Sequence, residues 1–380
     1  MKQDVFRKIA NMEERANLKV GDTLNKPYIG DFAVQTYTKG TAMTAQTYSS
    51  TNEALSVDQV KAGFFYVDTI DQIQNIYSAI DEWTKEAAIR LGNNIDGAFL
   101  YEAINANDTI DDGDLGGTPG NGLVLATSNI VNFLGKINKK LDVQNVSRAD
   151  RIGVISPQQF DVLWQYIAGK DTLLGDRTGE NGQLGHFAGF ELYMSNNLTG
   201  EATWLPANDP SNTQTITING ITFTFVSTIG TTAGNILISG TVAGTIDNLV
   251  ALINAGGVTS DSGVSNVSLS AANQKTVSNW VAVDNTTSIT VRAKGAGYMT
   301  VATSDAADVW TTTKQYQHSL FGDRRAIDLV IQKEPGVQMG PAIAAGLLGT
   351  YVAPYCLYGS KLFNKNTYKI LDCIVRSDAY

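Results

Sequence analysis

The chain has 380 residues, a net charge of −9 and only 17% charged residues, against roughly 25% in ordinary globular proteins. The acidic balance argues against a dedicated nucleic-acid binder, which needs Lys and Arg to displace phosphate counterions, and the 43% apolar content argues against disorder. Cys356 and Cys373 are too few for a disulfide framework or a zinc site of four cysteines, and without a secretion signal they are expected as reduced, buried thiols.

Met1 to Lys8 has no apolar core of a secretory signal. Residues 1–30 mix charged and apolar positions and predict a short helix followed by an extended arm. Residues 31–66 are rich in Thr, Tyr, Ser and Gly. Their two β-rich runs, Val34 to Gly40 and Phe64 to Val67, predict a long, poorly packed hairpin.

From 69 to 105 the period changes. Ile73, Ile76, Tyr77, Ile80, Trp83, Ala87, Leu91, Ile95, Ala98 and Phe99 recur at spacings of three and four, as on one helix face. Asp68 or Asp71 fits its cap. A continuous helix over this span would be about 50 Å long. Gly92 and Gly97 each cost roughly 1 kcal/mol relative to Ala, so tertiary packing must hold it.

Asp108 to Gly122 reads as a loop. A second amphipathic helix follows Ser128, with Ile130, Val131, Leu134, Ile137 and Leu141 inward. Arg151 to Ile155 predicts a strand that enters a helix at Ser156-Pro157, with Phe160, Leu163, Trp164 and Ile167 as its stripe. A glycine-rich run from Gly169 to Gly189 precedes a strand at Phe190 to Met194.

Composition then shifts: residues 205–315 hold 10 charges in 111 residues, and 20 Thr. Thr215 to Ile218 and Ile221 to Phe225 alternate on either side of Asn219-Gly220, a strong hairpin signal. Leu237-Ile238 predicts a strand, Thr245 to Asn254 a helix ending at Gly256-Gly257, and Ser288 to Arg292 and Tyr298 to Ala302 further strands. The flanks return to ordinary charge density, so 205–315 is read as a self-contained β-rich domain inserted into a host domain. Beyond it, Arg325 to Gln332 predicts a strand. Gly340 to Gly359 is uncharged, but Pro341, Pro354 and four glycines favour a broken buried segment over a membrane span. Tyr358 to Phe363 and Tyr368 to Leu371 predict a hairpin turned by Asn364-Lys365-Asn366.

Chemistry is sparse. His186 and His318 share no motif, and no G-x-S-x-G elbow accompanies them; His186 reads as a surface residue and His318 as a junction contact. Asp111-Asp112-Gly113-Asp114 fails the EF-hand spacing and reads as a turn. Gly113 to Gly122 and Gly295-Ala296-Gly297 lack the context of a phosphate loop. Asp81-Glu82 reads as a solvated pair, and Lys139-Lys140 and Arg324-Arg325 as surface or interface cations. No catalytic, cofactor-binding or metal residue is assigned, no cofactor is expected, and the chain is not read as an enzyme.

Taken in order, a charged arm, a long β-hairpin, an exceptional helix, a mixed α/β domain and closing strands resemble the major capsid proteins of tailed bacteriophages, which share the Hong Kong 97 fold. Asn93-Asn94-Ile95-Asp96 is similar to the Ile-Asp ending of that family's spine helix. Arg148-Ala149-Asp150-Arg151 to Ile155-Ser156-Pro157 resembles its R-x-x-V-I-S-P stretch. Gly189-Phe190-Glu191-Leu192-Tyr193-Met194-Ser195-Asn196-Asn197-Leu198 resembles its G-F-x-V-x-x-S-N-N-L run, and Ala326 to Gln332 and Leu357-Tyr358-Gly359 resemble later strands. The resemblance covers 1–204 and 316–380.

It implies an α+β fold with an N-terminal arm (1–30), an extended loop (31–66) and a peripheral domain with the spine helix (67–121). An axial domain with returning peripheral strands (122–204 and 316–380) and the inserted β-rich domain (205–315) complete it. The implied function is that of a coat protein assembling through hexamers and pentamers into an icosahedral virion head around double-stranded DNA, without sequence-specific binding and without a membrane. Assembly is expected in the host bacterial cytoplasm, with scaffolding, portal and decoration proteins as partners. The start of the chain close to the extended loop implies a separate scaffold or a processed N-terminus. Lys39 would be the candidate for covalent crosslinking, though an ordinary exposed lysine is the plainer reading. The alternatives are another phage or surface structural protein, such as a tail or fibre component, and a hydrolase built on His186 or His318.

Overall fold

The computed structural model describes residues 5–13, 22–29, 33–47, 50–74, 79–170, 186–259, 264–305, 307–342 and 346–376. In chain order the elements begin with α1 (Phe6–Ile9), β1 (Thr23–Ile29), β2 (Ser50–Ser56), β3 (Gln59–Ala62), β4 (Phe65–Asp68), α2 (Thr69–Gln74), α3 (Ala79–Tyr101) and β5 (Asp108–Ile110). Next come α4 (Ile130–Val143), β6 (Arg151–Ile155), α5 (Pro157–Ala168), β7 (His186–Phe187), β8 (Phe190–Met194) and β9 (Thr199–Leu205). The low-charge segment holds β10 (Thr215–Ile218), β11 (Ile221–Val226), β12 (Asn235–Leu237), α6 (Val242–Asn254), α7 (Ala271–Val277), β13 (Trp280–Asp284), β14 (Ile289–Ala293), β15 (Val301–Thr303) and β16 (Val309–Trp310). The chain closes with β17 (Tyr316–Asp323), β18 (Asp328–Pro341), β19 (Gly349–Lys361) and β20 (Ile370–Arg376).

These elements form two compact units. One comprises Met1–Ile9, Gly92–Ala326 and Tyr368–Tyr380, and the other Ala10–Leu91 and Ile327–Thr367. The division cuts the expected 67–121 segment at Gly92.

The first unit is organised by a ten-stranded sheet whose main path runs β13-β14-β9-β17-β6-β8-β7, with β16 beside β9, β20 beside β17 and β5 beside β20. Strand β6 is buried at every position because α4 and α5 pack with it in one apolar core, through Phe133, Leu134, Ile137, Leu163 and Ile167. Ser156 starts α5 as expected: its Oγ accepts the Gln159 amide at 3.2 Å, ahead of Pro157. Val131, expected inward on α4, is exposed, and Phe133 takes its place. The Asn-Gly hairpin also forms, with φ of 47° at Asn219 and 77° at Gly220.

The inserted segment carries a four-stranded sheet of its own, β12-β11-β10-β15, backed by α6. Its strands β13 and β14, however, extend the ten-stranded sheet through the β14–β9 ladder, Ile289↔Trp204 to Ala293↔Gly200. Trp204 on β9 is fully buried in the same core and stacks on Phe225 at 5.4 Å. The compositional border at Leu205 therefore falls on the last residue of a strand that serves both sides. Sequence reading missed β13, α7, β9 and β17.

The expected long helix forms over most of its described span. Its helical residues are Thr69–Gln74, where Asp68 Oδ1 accepts the Ile70 amide at 2.8 Å, and Ala79–Tyr101. Residues 75–78, with Ile76 and Tyr77, lie outside the described residues. The 23-residue α3 is about 35 Å long. Gly97 is explained by a close approach: a methyl group there would sit 2.8 Å from the Gly295 Cα.

In the second unit β18, β19, β3 and β4 form one sheet and β1 pairs with β2. The expected hairpin partners are not the observed ones. The ladder joins Thr23–Ile29 to Ser50–Ser56, while Phe65–Asp68 pairs with β19 and Val34 to Gly40 is not a strand. Apolar packing accompanies this pairing: Leu55 on β2 enters a small core with Val57, Val330 and Phe363, and Leu24 on β1 packs against it. Gly340 to Gly359 proves to be the end of β18, a connection and most of β19; no helix among the described residues is long and apolar enough to cross a membrane. The expected C-terminal hairpin is also corrected. Strand β19 pairs with β18 and β3, whereas β20 pairs with β17 and β5, and a 3-10 turn at Asn364–Lys369 joins two different sheets.

Candidate functional site

The second unit leaves several large apolar side chains exposed. Beyond the β1–β2 ladder the two arms of the loop stay together by side-chain bonds. Gln46 both donates to the Ala33 carbonyl, at 2.7 Å, and accepts its amide, and Gln35 donates to the Thr44 carbonyl at 3.1 Å. The tip turns at Thr38 to Thr41, whose amide donates back to Thr38 at 3.0 Å across Gly40, at φ +87°. Among the described residues nothing apolar covers it: Val34 is 90% exposed and Tyr37 64%, with Met43 and Lys39 also exposed.

The helical stripe behaves likewise in this unit. Ile70, Ile73, Trp83 and Ile89 are exposed, although the Trp83 ring still touches Phe65 at 5.1 Å. In the other unit Ile95 and Phe99 of the same stripe are fully buried and Ala98 is half-buried. Phe64 and Val60 add to the outward apolar surface.

The first unit holds a charged cluster inside its main sheet. His318 on β17 is 3% exposed, with its Nδ1 2.8 Å from Asp372 on β20 and its Nε2 3.3 Å from Glu201 on β9. Tyr316 donates its hydroxyl to the other Glu201 oxygen at 2.7 Å and sets its ring edge-on to the imidazole, and Arg292 on β14 donates to Glu201 at 2.6 Å. Burial would lower the His318 pKa, but the Asp372 charge and the hydrogen bonds to both carboxylates outweigh it and lift it to about 9. Burial likewise works against ionised Glu201, yet His318 and Arg292 hold it down at about 2. His318 is thus an imidazolium with both N–H groups engaged, which leaves it no lone pair to act as a base.

The other sequence candidates have structural roles. His186 is exposed on β7, opposite Glu191. Asp111 and Asp114 form a capping box, Asp112 accepts the Thr118 amide, and Lys140 binds Asp108 and Asp114 at 3.1 and 3.0 Å. These carboxylates order their own loop. Arg324 pairs with Glu191 and the Tyr193 hydroxyl, whereas Arg325 turns the chain at φ +67°. Asp81, Glu82 and Lys139 are exposed. Cys356 and Cys373 are free and buried, and burial raises both thiols. Glu201, Asp372, Tyr316 and Arg292 escaped sequence reading, since only strand pairing brings them together.

Comparison with solved structures gives a whole-chain likeness. A structure from Mycobacterium phage Che8 superposes with a TM-score of 0.56 at 15% identity, covering 98% of this chain and 92% of that one. The capsid structure of cyanophage P-SCSP1u follows at 0.49 and 12% identity, over 94% and 84% of the two chains. The mature capsid of bacteriophage PhiM1 gives 0.48 and 12%, over 93% and 82%. No protein-family signature and no curated protein matches the sequence. The chain shares the fold of the Che8 phage structure over nearly its whole length.

Proposed function

We propose that this chain, whose α+β fold is of the Hong Kong 97 type, is the major capsid protein of a tailed bacteriophage. It would assemble through hexamers and pentamers into the head and enclose double-stranded DNA without reading its sequence. The observation that carries this reading is the pairing of a whole-chain fold likeness to a phage structure with an extended loop that leaves Val34, Tyr37 and Met43 in solvent. A shell subunit needs such surfaces because it meets several neighbours at once, each contact burying roughly 800 Å² per partner. The exposed half of the helical stripe, around Ile73 and Trp83, is the second surface of this kind. Negative net charge suits a wall that must not grip the packaged polymer.

The reading places the protein in the virion, with scaffolding, portal and decoration proteins as partners. His318 is buried with both ring nitrogens engaged, and His186 is exposed on β7, which argues against the hydrolase alternative among the described residues. Electron microscopy of the expressed protein tests the proposal: shells or capsomers support it, and isolated trimers or fibres would favour a tail or fibre component.

The inserted segment is proposed as a separately folding domain once β9 is included. A fragment 199–315 is expected to unfold cooperatively on heating. A fragment 205–315 loses Ala202 and the fully buried Trp204, and is expected to be less stable by roughly 3–5 kcal/mol. Equal melting of the two fragments would contradict this boundary.

A further inference from the structure

A pocket of about 320 Å³ opens at the first turn of α5, lined by Ser156, Gln158, Asn196, Gly297, Tyr298 and Gln317 among others. All of these belong to the first unit. No ionised side chain lines it. Two independent features point hydrogen-bond donors into it. The first is the helix end: Ser156 caps the Gln159 amide and Pro157 has no N–H, so the Gln158 amide is the donor left without a partner among the described residues. The second is Gln317, which is 5% exposed, lines the pocket and has no side-chain hydrogen bond among the described residues.

Strand geometry explains why Gln317 faces this way. His318 and Tyr316 turn to the ionic cluster, so Gln317 and Ser319 occupy the opposite face, where Ser319 donates to Gln159 on α5 at 2.9 Å. Gln159 Nε2 is a further buried donor with no partner among the described residues. Leaving carboxamides unpaired in a native interior is unfavourable unless something else satisfies them. The nearby carboxylate, Asp96, is already met by the Phe6 amide, Ser195 and Asn197.

We propose that this pocket binds a small oxyanion, a carboxylate or a phosphate, on the Gln158 amide and the Gln317 carboxamide. The positive end of α5 supplies the attraction that neutral walls lack. Gly297, at φ +63°, shapes the rim, because a methyl group there would lie 3.0 Å from the Asn196 carbonyl. The Gly295-Ala296-Gly297 run lacks the sequence context of a phosphate loop, yet its last two residues reach the pocket through the fold. This inference is independent of the capsid reading.

Calorimetric titration of the full-length protein with inorganic phosphate, and separately with acetate, tests it against chloride at matched ionic strength. Saturable binding is expected for at least one oxyanion, weakened at least tenfold in Gln317→Glu. Hydrogen exchange at the Gln158 amide should slow on binding. Phosphate alone binding identifies a tetrahedral ion, and acetate alone a carboxylate such as an acidic side chain supplies. The proposal is overturned if neither oxyanion binds wild type above chloride, or if Gln317→Glu binds as wild type does. Should that variant fail to fold, Gln317→Met takes its place, and the wild-type titration by itself remains decisive.

Discussion

Replacing His318 by alanine is expected to destabilise the subunit by roughly 3–5 kcal/mol, because it strands two buried carboxylates. Glu201 would keep Arg292 and Tyr316, but Asp372 would lose its cation and already has one oxygen without a partner among the described residues. Chemical denaturation reads the loss directly. A change below about 1 kcal/mol would show that the cluster is not a working ion pair.

The same cluster sets a pH dependence with a definite sign. The folded pKa of His318 is raised from 6.5 to about 9, so its contribution is complete below pH 6.5 and is lost as pH rises through 9. The shift corresponds to about 3 kcal/mol. Glu201 acts in the opposite sense: lowered from 4.5 to about 2, its contribution is complete above pH 4.5 and is lost as pH falls through 2. Stability from this cluster is therefore greatest between pH 4.5 and 6.5. Melting temperature should fall from pH 6.5 to 9, and His318→Ala should flatten that slope. An unchanged slope in the variant would assign the alkaline loss elsewhere.

Placing aspartate at Val34, Tyr37 and Met43 together is expected to abolish assembly while leaving the subunit folded. These side chains stand in solvent in the isolated chain, so their replacement should move monomer stability by no more than about 0.5 kcal/mol. In a contact each would forfeit roughly 1.5–3 kcal/mol of apolar burial and bring a carboxylate that must be desolvated. Sedimentation should show at least a tenfold drop in shells or capsomers. Wild-type yields from the triple variant would mean that the loop is not a contact surface.

Local signals were legible where local chemistry decides structure. Ser156-Pro157 and Asn219-Gly220 each specify a backbone geometry almost alone, and both appear as read. The apolar stripe of the long helix was equally plain, but not its division. Periodicity reports that Trp83 and Phe99 share a face, whereas burial depends on what the rest of the chain, or another chain, lays against it. Pairing was the least legible. Nothing local says that Thr23–Ile29 answers Ser50–Ser56, that Phe65–Asp68 turns to β19 rather than to Val34 to Gly40, or that β20 leaves the β18–β19 sheet. The His318 cluster was hidden for the same reason, its carboxylates arriving on β9 and β20.

Electron microscopy of the purified full-length protein, with and without a scaffolding partner, tests the central claim most directly. The account predicts closed shells or hexameric and pentameric capsomers, lost in the loop triple variant. Wild-type protein that stays monomeric under all of these conditions, with no capsomer in the micrographs, would contradict it.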